Sequence, residues 1–281
     1  MKQIKYRFNK LAFLISVKIE FLKVRFFYLV NKNKAINNTI KINREYLSTI
    51  DKFLPLDVYV KNDYGVQKRI YDELEAEIPE LVTYSDLMVF LINDLFKNNI
   101  SYLEIGVSVL KNYLQINNGV RDSILVAYDI NDVNPSFEDF ENIKLNNNTL
   151  YYFKGSVLDV KDTSKFLDLY KNKFDFVFSD ALHTPEAIRS EYEHIIKNIL
   201  SDDFIIYYDD LDFDGLEKEF YEIKKDLESH KNKKINYYTF FVYGWIGSKE
   251  KLHKNGIITN LDFSAYLNER NIKIYGFEEV K

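Results

Sequence analysis

The sequence predicts an α/β fold: a doubly wound, mostly parallel sheet with α-helices on both faces and an antiparallel hairpin at its C-terminal end. Two observations predict it. Short apolar runs bounded by polar loops recur along the chain, each followed by a stretch long enough for a helix, as in parallel sheets with right-handed crossovers. The 281 residues are also 46% hydrophobic, and a chain of this size can bury roughly 70% of its surface in a core.

The individual elements follow from this pattern in chain order. The predicted parallel strands are Tyr102–Val107, Ile124–Ile130, Leu150–Val157, Phe174–Ala181 and Phe204–Asp209. The helices predicted between and after them are Ser108–Ile116, Phe137–Ile143, Thr163–Tyr170, Pro185–Ile199 and Leu216–Ser229. The last two predicted strands, joined by a polar segment and expected to pair antiparallel, are Ile235–Ile246 and Gly256–Leu261. This order of elements is Rossmann-like.

Upstream of the sheet, two segments have helical spacing, Val66–Ile78 and Tyr84–Asn98. Pro79 ends the first helix, and Thr83 or Ser85 can cap the second. The residues before them are irregular in pattern. We therefore divide the chain into an N-terminal arm (1–34), a connector or lid that contains one helix (35–83) and a sheet domain (84–281).

The N-terminal arm is strongly basic. It holds nine Lys and Arg against a single acid, Glu20, so its charge is +8, and the net charge of −5 leaves −13 for the rest of the chain. Its apolar stretch, Leu11–Val30, carries four internal charges, whereas a helix that spans a membrane needs ~20 predominantly apolar residues. We expect that the arm does not span a membrane.

Three roles for the arm stay open at this point. Val17–Phe21 and Leu22–Phe26 alternate apolar and polar residues as strands do. The arm can pack on the domain, contact a second subunit of a homo-oligomer, or bind a membrane surface through its aromatic and basic side chains. A nucleic-acid partner is not expected.

The chain has no cysteine. This excludes disulfides, thiolate metal sites and cysteine nucleophiles, so any ligand or nucleophile is Asp, Glu, His, Ser, Lys or Tyr. It also fits a reducing compartment. We therefore expect a cytoplasmic protein, peripheral to a membrane if the arm binds one.

Ligands of an open parallel sheet bind outside the carboxyl ends of its strands, and these ends carry the candidate residues. The first strand contains Glu104 and ends at Gly106, where backbone can approach a ligand closely and Ser108 can cap the next helix. The second ends at Asp129, 23 residues after Gly106, about the separation at which an acid accepts hydrogen bonds from a ribose. The third ends at Gly155 and Ser156.

These strand ends resemble the successive motifs of class I S-adenosylmethionine-dependent methyltransferases. The motifs are Glu104-Ile-Gly106, Asp129, Gly155-Ser156 and Phe176-Val-Phe-Ser-Asp180-Ala-Leu-His183, within a match from about Tyr84 to Leu261. The resemblance implies S-adenosylmethionine as cofactor, with Glu104 and Gly106 beside its methionine part, Asp129 on its ribose and Gly155 with Ser156 by its adenine. Ser108 and Leu110 stand where this family usually has glycines.

Within that family, the sequence resembles the metal-dependent O-methyltransferases of sugars and other small molecules. Asp180 and the pair Asp209-Asp210 are similar to the three carboxylates that hold magnesium there. Neighbouring strands lie about 4.8 Å apart, so these acids can face one crevice, and a hard divalent cation would offset their repulsion. The position of the usual base is Leu182. His183 is the nearest substitute, with a usual pKa near 6.5 that suits proton abstraction.

The predicted function is methyl transfer to an oxygen of a small molecule, a sugar or other polyol, with Asp180 and His183 in catalytic positions. Three alternatives stay open: a non-catalytic scaffold of the same fold, an N-methyltransferase without metal, and a Rossmann dehydrogenase, which the missing glycines disfavour. The run from Asp210 to Gly215 satisfies only half of a calcium loop. An acceptor pocket lined by strand aromatics is a further hypothesis; its residues are Tyr237, Tyr238, Tyr243 and Trp245.

Overall fold

Nine strands form one sheet in the computed structural model, which describes residues 2–47, 81–97, 99–108, 110–130, 141–244 and 252–280. The strands are β1 (Ser101–Ile105), β2 (Ile124–Asp129), β3 (Asn142–Leu145), β4 (Asn148–Lys154), β5 (Phe174–Ser179), β6 (Leu200–Tyr208), β7 (Asn236–Tyr243), β8 (Leu252–Thr259) and β9 (Glu278–Glu279). Their order in the sheet is β3-β4-β2-β1-β5-β6-β8-β7-β9.

The centre of the sheet, β4-β2-β1-β5-β6, is parallel. β8 lies antiparallel between β6 and β7, so the last two long strands form the predicted hairpin and close one side. The predicted Rossmann-like α/β class is confirmed. The chain order reverses between the neighbours β1 and β5, because β2 and β4 continue to one side and β6 to the other. This reversal is where ligands bind in doubly wound sheets.

Helices cover both faces of the sheet. They are α1 (Lys2–Val30), α2 (Lys34–Leu47), α3 (Tyr84–Leu91), α4 (Lys111–Gly119), α5 (Val160–Leu169), α6 (Pro185–Glu191), α7 (Leu216–Lys231) and α8 (Phe263–Glu269). A π-helical stretch, Ile92–Phe96, continues α3, and Tyr192–Ile196 with a last turn, Lys197–Ile199, continues α6. Buried side chains of α2, α3, α4 and α8 form the core on one face, and those of α5, α6 and α7 the core on the other.

Two predicted helix starts are confirmed by their caps. The Thr83 side chain accepts a hydrogen bond from the Asp86 amide, and the Asp86 carboxylate accepts one from the Thr83 amide, which makes a capping box for α3. The Thr184 side chain accepts from the Ala187 amide, and Pro185 occupies the first helical position of α6. The second cap fixes the loop that carries His183.

The helix predicted at Phe137–Ile143 is wrong where the structure describes it. Asn142 and Ile143 belong to β3, which pairs antiparallel with β4. The reason is the turn between them: Asn146 and Asn147 have φ angles of 53° and 65°, and two left-handed residues, a conformation that Asn tolerates, make a tight hairpin. Residues 137–140 lie outside the described part.

The arm is helical, so the strand-like alternation at Val17–Phe21 and Leu22–Phe26 does not form strands. No Gly or Pro interrupts α1, and apolar residues recur on two of its faces. Part of the predicted connector is also a helix, because α2 buries Ile36, Ile40 and Leu47 in the core. The predicted helix Val66–Ile78 lies outside the described residues. Among the described helices, none is both long and apolar enough to cross a membrane.

Candidate functional site

The predicted site residues lie at one edge of the sheet, because β1, β2, β4, β5 and β6 all end there. We call the ends of β1, β2 and β4 the cofactor half and the ends of β5 and β6 with the start of β8 the acid–histidine half. The halves meet where Gly106 faces Asp180: a Cβ built on Gly106 would lie 2.3 Å from the Asp180 carbonyl oxygen. Gly106 is therefore required by the approach of the two strand ends.

The loop after β1 has an unusual backbone. Gly106, Ser108 and Leu110 have φ angles of 87°, 47° and 65°. The left-handed region favours glycine and is costly for a residue with a Cβ, yet two of the three positions carry Ser and Leu. These are the positions that are glycines in the family that the sequence resembles. The loop thus adopts the conformation of a glycine-rich loop without its glycines.

Asp129 holds this loop in place. One carboxylate oxygen, Oδ2, accepts hydrogen bonds from the amides of Val107 and Ser108, each at 3.0 Å. Asp129 ends β2, whose neighbour β1 leads directly into the loop. Asp129, which the sequence predicts to bind a ribose, therefore also organises the backbone of the loop after β1. Its distance from Gly106 in the sequence did not suggest this second role.

Glu104 lies in β1 and is only 1% exposed. Its carboxylate accepts hydrogen bonds from the Tyr102 hydroxyl (2.7 Å) and the Asn112 side-chain amide (2.8 Å). Burial raises the pKa of Glu104 to about 8, and the nearby charges of Asp180 and Asp129 act in the same direction, against the two hydrogen bonds. Its predicted contact with the methionine part of a cofactor stays a prediction.

Gly155 and Ser156 follow β4 at the far side of the cofactor half. The Gly155 amide donates to the Asp129 carbonyl (2.8 Å), the Ser156 amide donates to Asp162 (2.8 Å), and the Ser156 carbonyl accepts from the Tyr128 hydroxyl (3.1 Å). The turn is thereby fixed next to Asp129, where the resemblance expects adenine.

In the acid–histidine half, His183 bridges two carboxylates. Its Nε2 lies 3.1 Å from Oδ1 of Asp180, and its Nδ1 lies 3.0 Å from Oδ2 of Asp210. Burial lowers the pKa of His183, but the hydrogen bond and charge of Asp180, with the charges of Asp210 and Asp209, outweigh it and raise the pKa to about 9. The protonated form of His183 is therefore favoured in this position, unlike the histidine of unshifted pKa that the sequence predicts.

Asp209 is almost completely buried beside this bridge. One of its oxygens, Oδ1, accepts from the Asp210 amide (2.8 Å) and from the Asn255 side-chain amide. Asn255 in turn accepts from the Tyr207 hydroxyl (2.6 Å). Burial, together with the charges of Asp180 and Asp210, raises the pKa of Asp209 well above its usual range. Burial also raises the pKa of Asp180.

A second histidine, His253, completes the cluster, and its Nδ1 contacts Oδ1 of Asp210. One ligand atom each of Asp209, Asp210 and His253 lie within 4.8 Å of one another, an arrangement that can hold a metal ion. Asp180, the third predicted metal ligand, is not in this group and reaches Asp210 through His183. The predicted pair Asp209-Asp210 is thus brought together, but with an imidazole that the sequence did not indicate.

His253 was missed because the second hairpin strand was predicted to start at Gly256, whereas β8 starts at Leu252. The residues Leu252–Asn255 extend past the end of β6, whose last residue Tyr208 pairs with Gly256. In this segment the backbone carbonyl of Lys254 accepts a hydrogen bond from the Leu211 amide (2.7 Å). This polar segment lacks the apolar alternation that reveals a strand.

The predicted aromatic pocket residues Tyr237, Tyr238 and Tyr243 are buried in the hydrophobic clusters, at 3%, 1% and 2% exposure. Trp245 lies outside the described residues. The acceptor-pocket role of these residues stays a prediction.

No protein-family model matches this chain, and no curated protein matches it. Solved structures do match. They include the O-methyltransferase from Bacillus cereus in complex with SAH, at 14% identity and a TM-score of 0.44, covering 78% of this chain and 100% of that one. The O-methyltransferase TomG from Streptomyces achromogenes in complex with SAM matches at 14% identity and a TM-score of 0.43, covering 77% and 98%.

A match of another activity is spermidine synthase from Thermotoga maritima, at 13% identity and a TM-score of 0.35, covering 58% of this chain and 54% of that one. At such identities and TM-scores, none of these likenesses establishes an activity for this chain.

Proposed function

We propose that this chain is an S-adenosylmethionine-dependent methyltransferase that acts on an oxygen of a small molecule, a sugar or other polyol. The observation that carries the proposal is the loop after β1. Gly106, Ser108 and Leu110 all hold left-handed backbone at the sheet's point of reversal, and Asp129 ties that loop to β2. A protein that used this edge only for packing would have no need of two costly conformations within three residues, at Ser108 and Leu110.

S-adenosylmethionine suits this loop better than a dinucleotide does. A dinucleotide's pyrophosphate needs a closely approached turn lined with glycines, and Ser108 adds an exposed side chain there. A cofactor that carries only an amino-acid carboxylate and a sulfonium needs less space. In this proposal Asp129 and the Gly155–Ser156 turn lie on the nucleoside side and Gly106 with Glu104 on the methionine side.

We also propose that the acid–histidine half holds a divalent cation. Asp209, Asp210 and His253 supply two carboxylates and an imidazole within 4.8 Å, a donor set that fits such an ion, with Asp180 as the neighbouring acid. Carboxylates alone suit magnesium, the ion that the resemblance implies, whereas an imidazole also suits manganese, cobalt or zinc. When bound, the ion would polarise the acceptor hydroxyl.

The chain's own residues would position the acceptor and take its proton. Methyl transfer is a displacement, so its rate depends mainly on how the two reactants are held. The series Asp180–His183–Asp210 can hold a proton at either imidazole nitrogen and pass it to a carboxylate. His183, which is about one third exposed, can serve as base only in its neutral form.

Calorimetric titration of the full chain with S-adenosylmethionine, S-adenosylhomocysteine and NAD tests the cofactor. We expect binding of the first two and none of NAD. Binding of NAD alone would favour a dehydrogenase. Failure to bind any of the three would contradict the proposal and favour a non-catalytic scaffold. The hydrogen bonds of Asp129 and Asp180 would then serve the structure alone.

A further inference from the structure

The helix α1 presents a second apolar face that its packing does not use. Its inner face is fixed to the domain: Val24 is fully buried in a cluster with Leu81, Tyr243 and Leu252. The Tyr28 hydroxyl also accepts a hydrogen bond from the Tyr275 amide (3.4 Å). The helix is therefore attached along one side and free to contact something else along the other.

The outer face carries an exposed apolar stripe. It consists of Ile15, Ile19, Leu22, Phe26 and Leu29, which are 50%, 49%, 60%, 67% and 59% exposed. Their spacing of four and three residues in alternation places them on one line of the helix. At 1.5 Å per residue the stripe is about 21 Å long. Single exposed apolar residues are ordinary, but a continuous stripe marks an interaction surface.

Basic side chains flank this stripe on both sides. Lys18 and Arg25 lie along one edge and Lys23 along the other, and all three are exposed. Glu20, the only acid among residues 1–34, falls about 160° around the helix from Leu22 at 100° per residue, so it belongs to the inner side. The outer face is therefore apolar in its centre, positive at its edges and without an acid.

We propose that α1 docks the protein on an anionic lipid surface, with the apolar stripe in the interface and the flanking cations over the head groups. This is the chemistry of an interfacial amphipathic helix. The same spacing would also suit a helix of a second copy, but side-by-side pairing would bring Lys18 and Arg25 near Lys23 of the other copy. Such like charges oppose pairing, whereas anionic lipid complements all three.

Sedimentation of the full chain with phosphatidylcholine vesicles, with and without phosphatidylglycerol, tests this proposal. We expect binding to the anionic vesicles only, weakened by high salt. Ile19→Ser with Phe26→Ser should reduce the partition coefficient by at least ~10-fold, and Lys18→Gln with Arg25→Gln by a similar factor. Because all four side chains are exposed, the circular dichroism of these variants should equal that of the parent.

Matched controls separate the stripe from general surface effects. Ile42→Ser removes another exposed apolar side chain, in α2, and Lys218→Gln removes another exposed cation, in α7; neither should change vesicle binding. Equal binding to neutral and anionic vesicles, or none to either, would overturn the proposal. So would a parent dimer that Ile19→Ser with Phe26→Ser converts to monomer without any vesicle binding, because the stripe would then join two copies. None of these results depends on the cofactor.

Discussion

The two halves of the sheet edge treat their carboxylates in opposite ways. In the cofactor half, the strand-end acid Asp129 is bonded to two backbone amides of the neighbouring loop. In the acid–histidine half, Asp180, Asp209 and Asp210 lie beside one another. His183 contacts Asp180 and Asp210, and His253 contacts Asp210. The acid of the cofactor half is thus held by backbone amides, whereas the acids of the acid–histidine half contact titratable side chains.

This difference bears on what each half can do. A carboxylate fixed by two backbone amides is held in one position, which suits the binding of a cofactor. Burial and neighbouring charge raise the pKa values of Asp180 and Asp209. Such buried acids are costly unless a cation or a reaction uses them, and groups with shifted pKa values concentrate at functional sites. The experiments below test the contrast, from the largest expected effect to the smallest.

Replacing His183 should have the largest effect on catalysis. If His183 takes the acceptor's proton, His183→Ala should lower the rate of methyl transfer by roughly 10²–10⁴ once an acceptor is known. Part of the loss should be recovered at high pH, where the acceptor ionises unaided. Affinity for S-adenosylhomocysteine should not change, since its proposed site lies in the cofactor half. An unchanged rate would leave His183 as a structural bridge between Asp180 and Asp210.

The metal site should depend on Asp209 and His253 more than on Asp180. Binding of Mn²⁺, followed by the loss of its free electron paramagnetic resonance signal, should weaken by at least ~100-fold in Asp209→Asn, because an amide lacks the charge that a divalent cation requires. His253→Gln should weaken it by about 10-fold or more. Asp214→Asn, an exposed acid of the following loop, is the matched control and should bind as the parent does.

The outcome for Asp180 distinguishes the two ligand sets. A loss in Asp180→Asn as large as in Asp209→Asn, with none in His253→Gln, would restore the three carboxylates that the sequence predicts. Full methyl transfer in excess chelator would remove the metal from the mechanism altogether and leave Asp180 as an acid that orients the acceptor.

In the cofactor half, Asp129→Ala should weaken binding of S-adenosylhomocysteine by about 10- to 100-fold, since charge-assisted hydrogen bonds contribute about 1.5–3 kcal/mol each. Asp129→Asn separates the two roles of this side chain. An amide oxygen can still accept from Val107 and Ser108, so the loop should stay ordered while the charge is lost. If calorimetry finds both variants as tight as the parent, Asp129 serves the loop alone.

Much of this site could be predicted because the ends of buried strands are recognisable in the sequence. Asp129, Asp180 and Asp209 each follow a run of buried apolar residues, and parallel strands bring such positions to one edge. His253 could not be found in this way, since it lies in an antiparallel strand in which three polar residues follow the first leucine. The left-handed backbone of Ser108 and Leu110 could not be predicted for another reason: among sequence signals, glycine is the usual indicator of that conformation, and neither residue is a glycine.

The raised pKa of His183 predicts how stability depends on pH. In the metal-free protein this pKa is about 9, above the value near 6.5 of an unfolded chain. The contribution of protonated His183 to the free energy of unfolding is therefore fully present below about pH 6.5 and is lost as the pH rises through about 9. The loss approaches at most about 1.4 kcal/mol per pH unit. Urea unfolding across this range should show a steeper decline for the parent than for His183→Gln; equal slopes would mean that the two carboxylates do not hold the proton.

The smallest effect should come from the loop itself. Ser108 has a φ of 47° and is exposed, so Ser108→Gly removes a strained Cβ without removing a buried contact. Folding should become more stable by about 0.5–1 kcal/mol, although glycine also loosens the unfolded chain. Ser164→Gly, at an exposed position within α5, is the matched control and should destabilise by about 0.5 kcal/mol, because helical backbone gains nothing from glycine. If both variants destabilise equally in urea, Ser108 is not strained. If Ser108→Gly stabilises and also tightens binding of S-adenosylhomocysteine, the backbone of this loop forms part of the cofactor site.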